Sequence, residues 1–417
     1  MTRSQSAIPA TREFDSTLAL LREGYLFVGR RCEDLHNDLF RTRLMLSPVV
    51  CMRGPSAAGQ FYREGRFTRQ GALPPTTLTL LQDRGSVQTL DGDEHRHRKQ
   101  MFMDLMDSGS LDRAVTIFRD EWNTAAESWV GSRIVLHDEV RAILTRTALR
   151  WCGIPLDEVQ PEQRTAEFSA MIEGAGSIGP YYLRARLLRA RSERWAQGAV
   201  QAIREGRLPV ARGCPAERLA LHRDLSGELL NAKIAAVELI NLLRPMVAIA
   251  RFIIFAAHAL HENRGEAERL GKEPASDALT AFVQEVRRFY PFFPLIGGRV
   301  REPFTWRRHR FAPGDWVVLD LYGTDHHPET WHEPETFRSQ RFRDWKGNAY
   351  SFIPQGGGGF MKEHRCPGEW LTIALTAEAV RRLLAMDYEV PDQDLSIPMN
   401  RLPTRPKSGF MMDVRPH

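Results

Sequence analysis

The sequence predicts a mainly α-helical protein with a smaller β region, organised as one domain. Apolar residues recur with helical spacing almost without interruption from Glu94 to about Arg288, which predicts a long helical body. Short apolar segments separated by turn residues follow late in the chain and predict a small sheet. No Pro-rich or Gly-rich stretch is long enough to be a linker. We therefore expect a single domain over residues 1–417, with a short disordered N-terminal segment at about 1–14.

The predicted elements begin with a helix from Ser16 to about Asn37 and a hairpin of residues 39–45 and 49–52 around Ser47-Pro48. Glycine and proline divide the helical body at Gly131, 153–155, 174–179 and 213–215. The remaining predictions are strands at 304–306, 309–311 and 316–320, a helix at 370–384, and closing strands at 388–390 and 409–414.

The one long apolar run, from Ile234 to Leu260, is interrupted by Glu238, Arg244, Pro245 and Arg251. Charged side chains are costly at bilayer depth, so this run predicts a buried helix of a soluble protein. The first twelve residues lack the apolar core of a secretory signal. We expect no membrane anchor.

Composition excludes several classes of protein. A net charge of +5, from 57 basic and 52 acidic residues, is too small for a dedicated nucleic-acid binder. Five cysteines with no CxxC pair indicate neither a disulfide framework nor a cysteine-rich zinc site. A reducing compartment, the cytoplasm, is expected.

The strongest local motif is a glycine-rich loop, residues 352–369, that delivers Cys366 immediately before an apolar helical segment. A helix N-terminus stabilises a thiolate through its dipole, and a thiolate can ligate iron. The alternative is a buried free cysteine beside a flexible loop.

Two charged motifs precede this loop. Glu285 and Arg288 share one helix face at i and i+3, which alone is usually an exposed ion pair. Arg341 follows, in a segment rich in tryptophan, phenylalanine and proline. In this order and spacing, the three charged residues and the cysteine loop resemble the cytochrome P-450 superfamily, and the resemblance extends from about residue 16 to residue 414.

The resemblance implies the cytochrome P-450 fold, with heme b (haem) between the long central helix and the cysteine loop. It implies that Cys366 is the axial iron ligand and that Glu285, Arg288 and Arg341 form a buried network beneath the haem. It also implies that a histidine and a basic residue four positions apart pair with the haem propionates. Our candidates for that role are His95 and Lys99, then Arg66 and Arg365; a solvated basic helix start is the alternative for His95 and Lys99.

The central helix departs from oxygen-activating members of the superfamily, which carry an acid and a threonine there. Asn241, Arg244 and Pro245 occupy this part of the helix instead. Pro245 cannot donate to the carbonyl of Asn241, so we expect the helix to open locally. A buried, unpaired Arg244 requires an anion. The alternative partner is Glu238, six positions away on a different helix face.

Arg244-Pro245 resembles the fatty-acid peroxygenase branch of the superfamily. The resemblance implies hydrogen peroxide as oxidant, a long-chain fatty acid as substrate and no obligatory redox partner. Arg244 is then expected to bind the substrate carboxylate, which serves as the acid-base group of the reaction. Because this pins the headgroup, hydroxylation is expected at the alpha or beta carbon.

Other residues refine this expectation. Gln88 stands where hydroxylating members have glutamine and decarboxylating members have histidine, so hydroxylation is expected to dominate. The segment 285–294 is most similar to alpha-hydroxylating members and implies that Phe292 lines the pocket. Gln82-Asp83 replaces a bulky apolar residue and a glycine in the acyl channel, and residues 359–363 replace a more usual loop. Arg251 is predicted to be a stabilising surface residue or a member of a charged network.

Three alternatives remain open: a redox-partner-driven haem monooxygenase acting on another carboxylate, a fatty-acid decarboxylase, and a non-catalytic haem sensor. The sequence also contains an arginine-rich run, at Arg184, Arg186, Arg189, Arg191 and Arg194. It predicts a solvated helix face.

Overall fold

The computed structural model describes residues 8–83, 85–272 and 276–416, and these residues form a mainly helical fold with a smaller β region. The helices of the N-terminal half are α1 (Thr17–Glu23), α2 (Phe27–Asp34), α3 (Pro55–Phe61), α4 (Pro75–Leu81), α5 (Gly92–Asp104), α6 (Ser108–Trp129), α7 (Leu136–Cys152), α8 (Pro161–Gly174) and α9 (Pro180–Arg204). Those that follow are α10 (Pro215–Ala220), α11 (Ala232–Ala248), α12 (Ala250–Glu262), α13 (Arg264–Lys272), α14 (Ser276–Phe289), α15 (Leu321–Asp325) and α16 (Glu369–Ala385).

The strands are short and are distributed over both halves of the chain. They are β1 (Leu39–Leu44), β2 (Ser47–Arg53), β3 (Phe67–Thr68), β4 (Arg133–Val135), β5 (Leu295–Val300), β6 (Phe304–Trp306), β7 (His309–Phe311), β8 (Trp316–Asp320), β9 (Tyr388–Glu389) and β10 (Met411–Val414). Short 3₁₀ turns lie at Gly24–Leu26, Val87–Thr89, Leu156–Glu158 and Ser339–Phe342.

Proline and glycine set the helix boundaries, as the sequence predicts. Proline stands at the start of α3, α4, α8, α9 and α10, where its missing N–H costs no hydrogen bond. Gly153 ends α7 in the left-handed conformation, with φ 84°. The predicted mainly helical class is confirmed, as are the hairpin and the late strands.

The apolar run of the sequence forms α11 and α12, which lie at the centre of the molecule. α11 packs against α7, α8, α9 and α10, and α12 packs against α7, α14 and α16. The segment Ala232–Glu262 is long and apolar enough to cross a bilayer, but 89% of its most apolar window is buried inside the protein. It is therefore the core helix of this fold.

Pro245 does not open the helix where the sequence analysis placed the opening. α11 continues through Pro245 to Ala248, and the regular helix is interrupted at Ile249, before α12 begins. The N–H of Ile249 donates to the carbonyl of Met246, three residues back. Packing of α11 on four other helices outweighs the lost bond at Pro245, since tertiary burial supplies most of a helix's stability.

A five-stranded sheet with the order β1-β2-β8-β5-β3 flanks the helices. β2 and β8 are parallel, whereas the other pairs are antiparallel. β5 was not predicted, because its Leu-Ile-Gly-Gly-Arg-Val sequence lacks an alternating pattern. Gly297 is required there, since a Cβ would lie 2.2 Å from the carbonyl oxygen of Ala72.

The N-terminal segment is corrected in part. Residues 1–7 of the segment predicted to be disordered lie outside the described residues. Ile8 is buried, and the N–H of Thr11 donates to the carbonyl of Arg41 in β1. The N–H of Arg41 donates in turn to the carbonyl of Pro9. Predicted disorder therefore does not extend to residues 8–11, which are fixed against the sheet.

Candidate active site around Cys366 and Arg244

Cys366 lies three residues before α16, at the end of the glycine-rich loop. Its backbone N–H donates to the carbonyl of Gln355 at 3.2 Å. The Gln355 side-chain nitrogen lies 3.9 Å from Sγ and donates to Thr372 Oγ1 at 3.1 Å. The loop thus folds back on itself and on the first turn of α16, and Cys366 is half-buried.

Burial raises the pKa of the Cys366 thiol, although the Gly368 backbone N–H, Lys99 and Arg287 act in the opposite direction. The Gly368 N–H at the start of α16 thus favours the thiolate, whereas burial favours the thiol. Coordination to a metal ion would deprotonate a thiol outright, because the ion's charge replaces that of the proton.

An ion-pair chain anchors the loop to α14 and α16. Glu369 accepts from Arg287 Nη2 at 2.6 Å and from Arg365 Nε at 2.7 Å. Arg365, predicted to pair with a haem propionate, is thus engaged by a carboxylate of its own chain. Arg287, which the sequence analysis did not single out, is fully buried and also donates to Gln355.

Glu285, Arg288 and Arg341 come together, as the resemblance implied. Both oxygens of buried Glu285 accept from Arg288 at 2.8 Å, and Oε1 accepts from Arg341 Nε at 3.2 Å. Arg288 also donates to the carbonyl of Asp325, whose carboxylate accepts the N–H of Ile353 at 2.7 Å. The network therefore connects α14 to the start of the cysteine loop.

Four basic side chains gather beside this loop. The rings of His95 and His364 lie 3.9 Å apart, centroid to centroid. Lys99 donates to the carbonyls of Glu363 and Arg365, the latter at 2.9 Å. Arg69 donates to the carbonyl of Gly297 at 2.8 Å. We call these four residues (Arg69, His95, Lys99 and His364) the basic cluster.

The pKa values of the basic cluster fall because its members are buried together. Burial, followed by Lys99 and Arg69, lowers the pKa of His95 to about 4. Burial also lowers the pKa of Lys99 to about 8, although Cys366 and Glu363 oppose the change. Within the described residues, no member of the cluster forms an ion pair with a carboxylate. Such a cluster suits an anionic group.

A haem fits this arrangement. A cysteine thiolate is the donor that ligates haem iron in thiolate enzymes, and the basic cluster, which could face the two propionates, lies beside the same loop as Cys366. Arg66, predicted for that role, contacts Gln60 and packs over the Phe304 ring at 4.1 Å. The structure thus places Arg69, rather than Arg66, in the cluster.

Arg244 is buried in α11 and donates from Nη2 to the carbonyl of Leu81 at 2.5 Å. Its Nε is buried without a hydrogen-bond partner among the described residues. No carboxylate of the described chain pairs with it. Burial, followed by the charge of Arg189, lowers the pKa of Arg244 to about 9, so the guanidinium remains a cation at neutral pH.

The alternative partner of Arg244 is engaged elsewhere. Glu238 is fully buried and accepts from Arg98 Nη1 at 2.9 Å and from the backbone N–H of Val87 at 2.8 Å. Arg98 therefore neutralises Glu238 and leaves Arg244 without a counterion among the described residues. Burial raises the pKa of Glu238 in spite of these contacts.

Asn241 connects Arg244 to Gln88. Its Nδ2 lies 3.3 Å from Gln88 Oε1 and 3.4 Å from the carbonyl oxygen of Gln82, and its Oδ1 lies 3.5 Å from Arg244 Nη2. Because the amide nitrogen faces Gln88 Oε1, the donor end of the Gln88 amide is directed elsewhere. Pro245 follows Arg244 directly, so all five residues lie at one place in the fold.

Aromatic and charged residues surround α11 and α12. Phe292 stacks on Phe252 of α12, with centroids 4.1 Å apart. Arg251 is buried and donates to Glu173 at 2.8 Å, which makes it a network residue rather than a surface one. Arg189 is also buried, so the predicted solvated face of α9 excludes it.

A cleft of about 770 Å³ opens beside α4. Its lining includes Met45 at the hairpin tip, Leu78, Gly85, Leu90, Arg299 and Trp316. Leu78 lies one turn before Leu81, the residue whose carbonyl meets Arg244. The cleft thus runs along the first turns of α4.

Comparison with known proteins identifies related chains. A family model described as cytochrome P-450 matches residues 277–384. Cytochrome P-450 4A7 of Oryctolagus cuniculus is 30% identical over 151 residues, which are 36% of this chain and 28% of that protein. The match with this curated relative thus spans little more than a quarter of its length.

Solved structures match nearly the full length of this chain. A mutant of cytochrome P450SP alpha (CYP152B1) is 44% identical, with a TM-score of 0.93, and the match covers 96% of this chain and 98% of that one. Cytochrome P450EX alpha (CYP152N1), solved with myristic acid, is 41% identical, with a TM-score of 0.94 and 98% coverage of both chains.

Proposed function

The chain belongs to the cytochrome P-450 family, in its fatty-acid peroxygenase branch, and from this premise we propose that it hydroxylates long-chain fatty acids with hydrogen peroxide. The reaction converts a C–H bond and hydrogen peroxide to an alcohol and water. We propose that hydroxylation occurs at the alpha or beta carbon, that the enzyme acts in the cytoplasm, and that it needs no redox partner.

One observation supports this proposal above the others: a buried cation without a counterion. Arg244 is 6% exposed, and Arg98 occupies the nearest acidic side chain of its own helix. An unpaired buried charge is strongly destabilising unless an anion completes the site. A fatty-acid carboxylate has the charge and the two-oxygen geometry that a guanidinium binds.

Cys366 and the basic cluster would hold the haem, with the thiolate of Cys366 as iron ligand and Arg69, His95 and Lys99 near the propionates. A bound haem would supply the thiolate-ligated iron at which peroxide is activated. The Glu285 network and Arg287 keep the cysteine loop in place. Holding the ligand rigidly matters because small displacements of reacting groups lower rates severely.

Arg244 would bind the substrate carboxylate, which is proposed to serve as the acid-base group of the reaction. In the proposed reaction the bound carboxylate accepts a proton from peroxide and returns it to the departing oxygen atom, which leaves as water. Asn241 and the Leu81 carbonyl hold the Nη2 side of the guanidinium, so Nε remains for the substrate. The acid-base group thus arrives with the substrate.

Pinning the headgroup determines which carbons are oxidised. With the carboxylate on Arg244, the first carbons of the acyl chain lie nearest the reacting oxygen. Phe292, Gln82 and the cleft beside α4 are proposed to accommodate the rest of the chain. Gln88, an amide, is proposed to favour hydroxylation over decarboxylation because it does not donate a proton as an imidazolium does.

The test is turnover of a long-chain fatty acid by the haem-loaded enzyme with peroxide alone, compared with NADPH and a reductase without peroxide. We expect hydroxy acid in the first reaction and none above background in the second. Product only with NADPH and reductase would instead establish a redox-partner-driven monooxygenase.

The matched variants are Arg244→Ala and, as a control, Arg186→Ala on the exposed face of α9. Arg244→Ala should retain haem and lose peroxide-driven fatty-acid turnover by at least about a hundredfold, because a charge-assisted contact to the substrate is removed. Turnover equal to that of Arg186→Ala would contradict the role assigned to Arg244.

A further inference from the structure

Side chains of two other helices bind three consecutive carbonyls at the end of α4. Leu80 O accepts from Arg189 Nη1 at 3.0 Å, and Leu81 O accepts from Arg244 Nη2 at 2.5 Å. Gln82 O lies 3.4 Å from Asn241 Nδ2. The last carbonyls of a helix lack partners within the helix, and cations are favoured there. We call this arrangement the α4 clasp: Arg189, Arg244 and Asn241 on carbonyls 80 to 82.

Arg189 is the member of the clasp contributed by α9. It is 1% exposed, and Nε donates to Glu193 Oε1 at 2.7 Å. Its Nη2 lies 4.0 Å from Asp83 Oδ2. The guanidinium thus connects α9 to the last turn of α4 through Leu80. Glu193 is its hydrogen-bonded carboxylate, and Asp83 lies at the limit of ion-pair distance.

Asp83 stands in a backbone conformation that favours glycine. Its φ is 77°, in the left-handed region, where a side chain with a Cβ is strained. The carboxylate of Asp83 lies at the limit of ion-pair distance from Arg189.

Arg244 and Arg189 lie close together, because they bind the adjacent carbonyls of Leu81 and Leu80. The charge of Arg189 contributes to the lowered pKa of Arg244. Arg189 has carboxylate partners of its own, whereas Arg244 has none among the described residues. A fatty-acid carboxylate is therefore drawn to Arg244, and its geometry there depends on where the Leu81 carbonyl holds Nη2.

We propose that Arg189 is a positioning residue for the substrate carboxylate: by fixing the end of α4 through Leu80 and Asp83, it holds the Leu81 carbonyl on Nη2 of Arg244. The other side of the guanidinium is then left for the acid headgroup. This inference rests on the proposed function, because it presupposes that Arg244 binds the carboxylate. It makes α9 a determinant of headgroup recognition rather than a solvated cover.

The experiment measures binding by the haem-loaded enzyme of a long-chain fatty acid and of the primary alcohol of equal length, from the shift of the Soret band. Arg189→Gln should weaken binding of the acid about tenfold, equivalent to 1.4 kcal/mol, and change binding of the alcohol less than about twofold. Arg189→Lys, which keeps a charged donor, should restore part of the loss. Arg186→Gln, exposed on the same helix, is the matched control and should bind both ligands as the unmodified enzyme does.

A structural role alone predicts a different pattern. Equal weakening of acid and alcohol, or no change in either, would overturn the inference. If Arg189→Gln fails to bind haem, Arg189→Lys carries the test: unchanged acid binding in that variant, or equal weakening of both ligands, overturns the proposal. In an Arg244→Ala background, Arg189→Gln should add no further acid-selective loss.

Different results would overturn the proposed function and the role of Arg189. Unchanged acid binding in Arg244→Ala would overturn the proposed function and this inference with it. A loss in Arg244→Ala without an acid-selective loss in Arg189→Gln would overturn only the role of Arg189.

Discussion

At Arg244, two requirements act on one guanidinium. It caps α4 through the Leu81 carbonyl, and it retains an unpartnered buried Nε. A hydrogen bond to a charged group contributes about 1.5–3 kcal/mol, which offsets only part of the cost of burying the charge. The remainder is what substrate binding would recover, so the site is electrostatically incomplete without an anion.

Gln88 determines how the reaction is expected to end. Replacing it by histidine introduces a side chain that is protonated near neutral pH and can donate a proton beside the substrate. Gln88→His should raise the proportion of terminal alkene among the products of peroxide-driven turnover, measured by mass spectrometry. Gln88→Asn, which keeps an amide, is the control.

An unchanged product ratio in Gln88→His would show that the identity of this residue does not select the reaction. Asn241 contacts the Gln88 oxygen at 3.3 Å, so the ring of the variant would meet the same donor.

Cys366 has a spectroscopic test. A serine in its place cannot supply the thiolate that defines this class of haem site. Cys366→Ser should lose the thiolate-type Soret band of the reduced carbon monoxide complex, and Cys214→Ser, a cysteine elsewhere in the fold, should retain it. Retention of the band in Cys366→Ser would mean that another residue ligates the iron.

Among the elements, α14 carries the network that supports the cysteine loop. Glu285 and Arg288 are each fully buried, and removal of one partner leaves an uncompensated buried charge. Glu285→Gln should lower the free energy of unfolding by about 3–5 kcal/mol and reduce the haem content of the purified protein. Urea unfolding and haem titration measure the two effects.

The control for this prediction is Asp413→Asn, which breaks the ion pair to Arg133 on the surface. Exposed pairs contribute little because water screens them, so this variant should unfold almost as the parent does. Equal destabilisation by the two substitutions would contradict the importance assigned to burial.

Sequence patterns predict elements well where local chemistry defines them. Proline and glycine mark the ends of α7, α8, α9 and α10, and Pro313-Gly314-Asp315 separates β7 from β8. β3 and β5 were not predicted, because β3 has only two residues and β5 contains two glycines, which weaken a strand pattern. β3 forms only by pairing with β5, Phe67 with Val300 and Thr68 with Arg299. These partners are far apart in the sequence, so no local pattern shows the pairing.

The same limit explains which site residues the sequence could identify. Cys366, Arg244 and the Glu285 triad stand in long motifs. Arg66, in contrast, directly precedes the two-residue strand β3, and Arg69 directly follows it. Side chains three positions apart in extended chain point to opposite faces, so only the pairing of β3 with β5 decides which arginine faces the haem site. The roles of Asn241, Arg189 and His364 depend on tertiary contacts, which local sequence patterns do not show.

At the scale of the whole molecule, buried histidines couple stability to pH. Burial lowers the pKa of His137 to about 4 and, together with Arg288, lowers the pKa of His326 to about 3. Both values lie below the ordinary 6.5, so the unfolded chain binds more protons between pH 6.5 and about 4. Stability is fully present above pH 6.5 and is lost as the pH falls through this window.

The expected slope is at most about 1.4 kcal/mol per pH unit for each histidine. Urea unfolding at pH 7.5 and at pH 5 measures it, and His137→Gln should reduce the slope by removing one titrating group. A free energy of unfolding that is equal at the two pH values would contradict the burial of these rings as neutral groups.

The central claim is that a buried cation of the core helix binds the acid group of the substrate. A crystal structure of the haem-loaded enzyme with a bound long-chain fatty acid tests it most directly. We expect both carboxylate oxygens to lie within hydrogen-bond distance of the Arg244 guanidinium, with the first carbons of the acyl chain toward the iron. A headgroup at the protein surface, with the methyl end of the lipid near the iron, would contradict it.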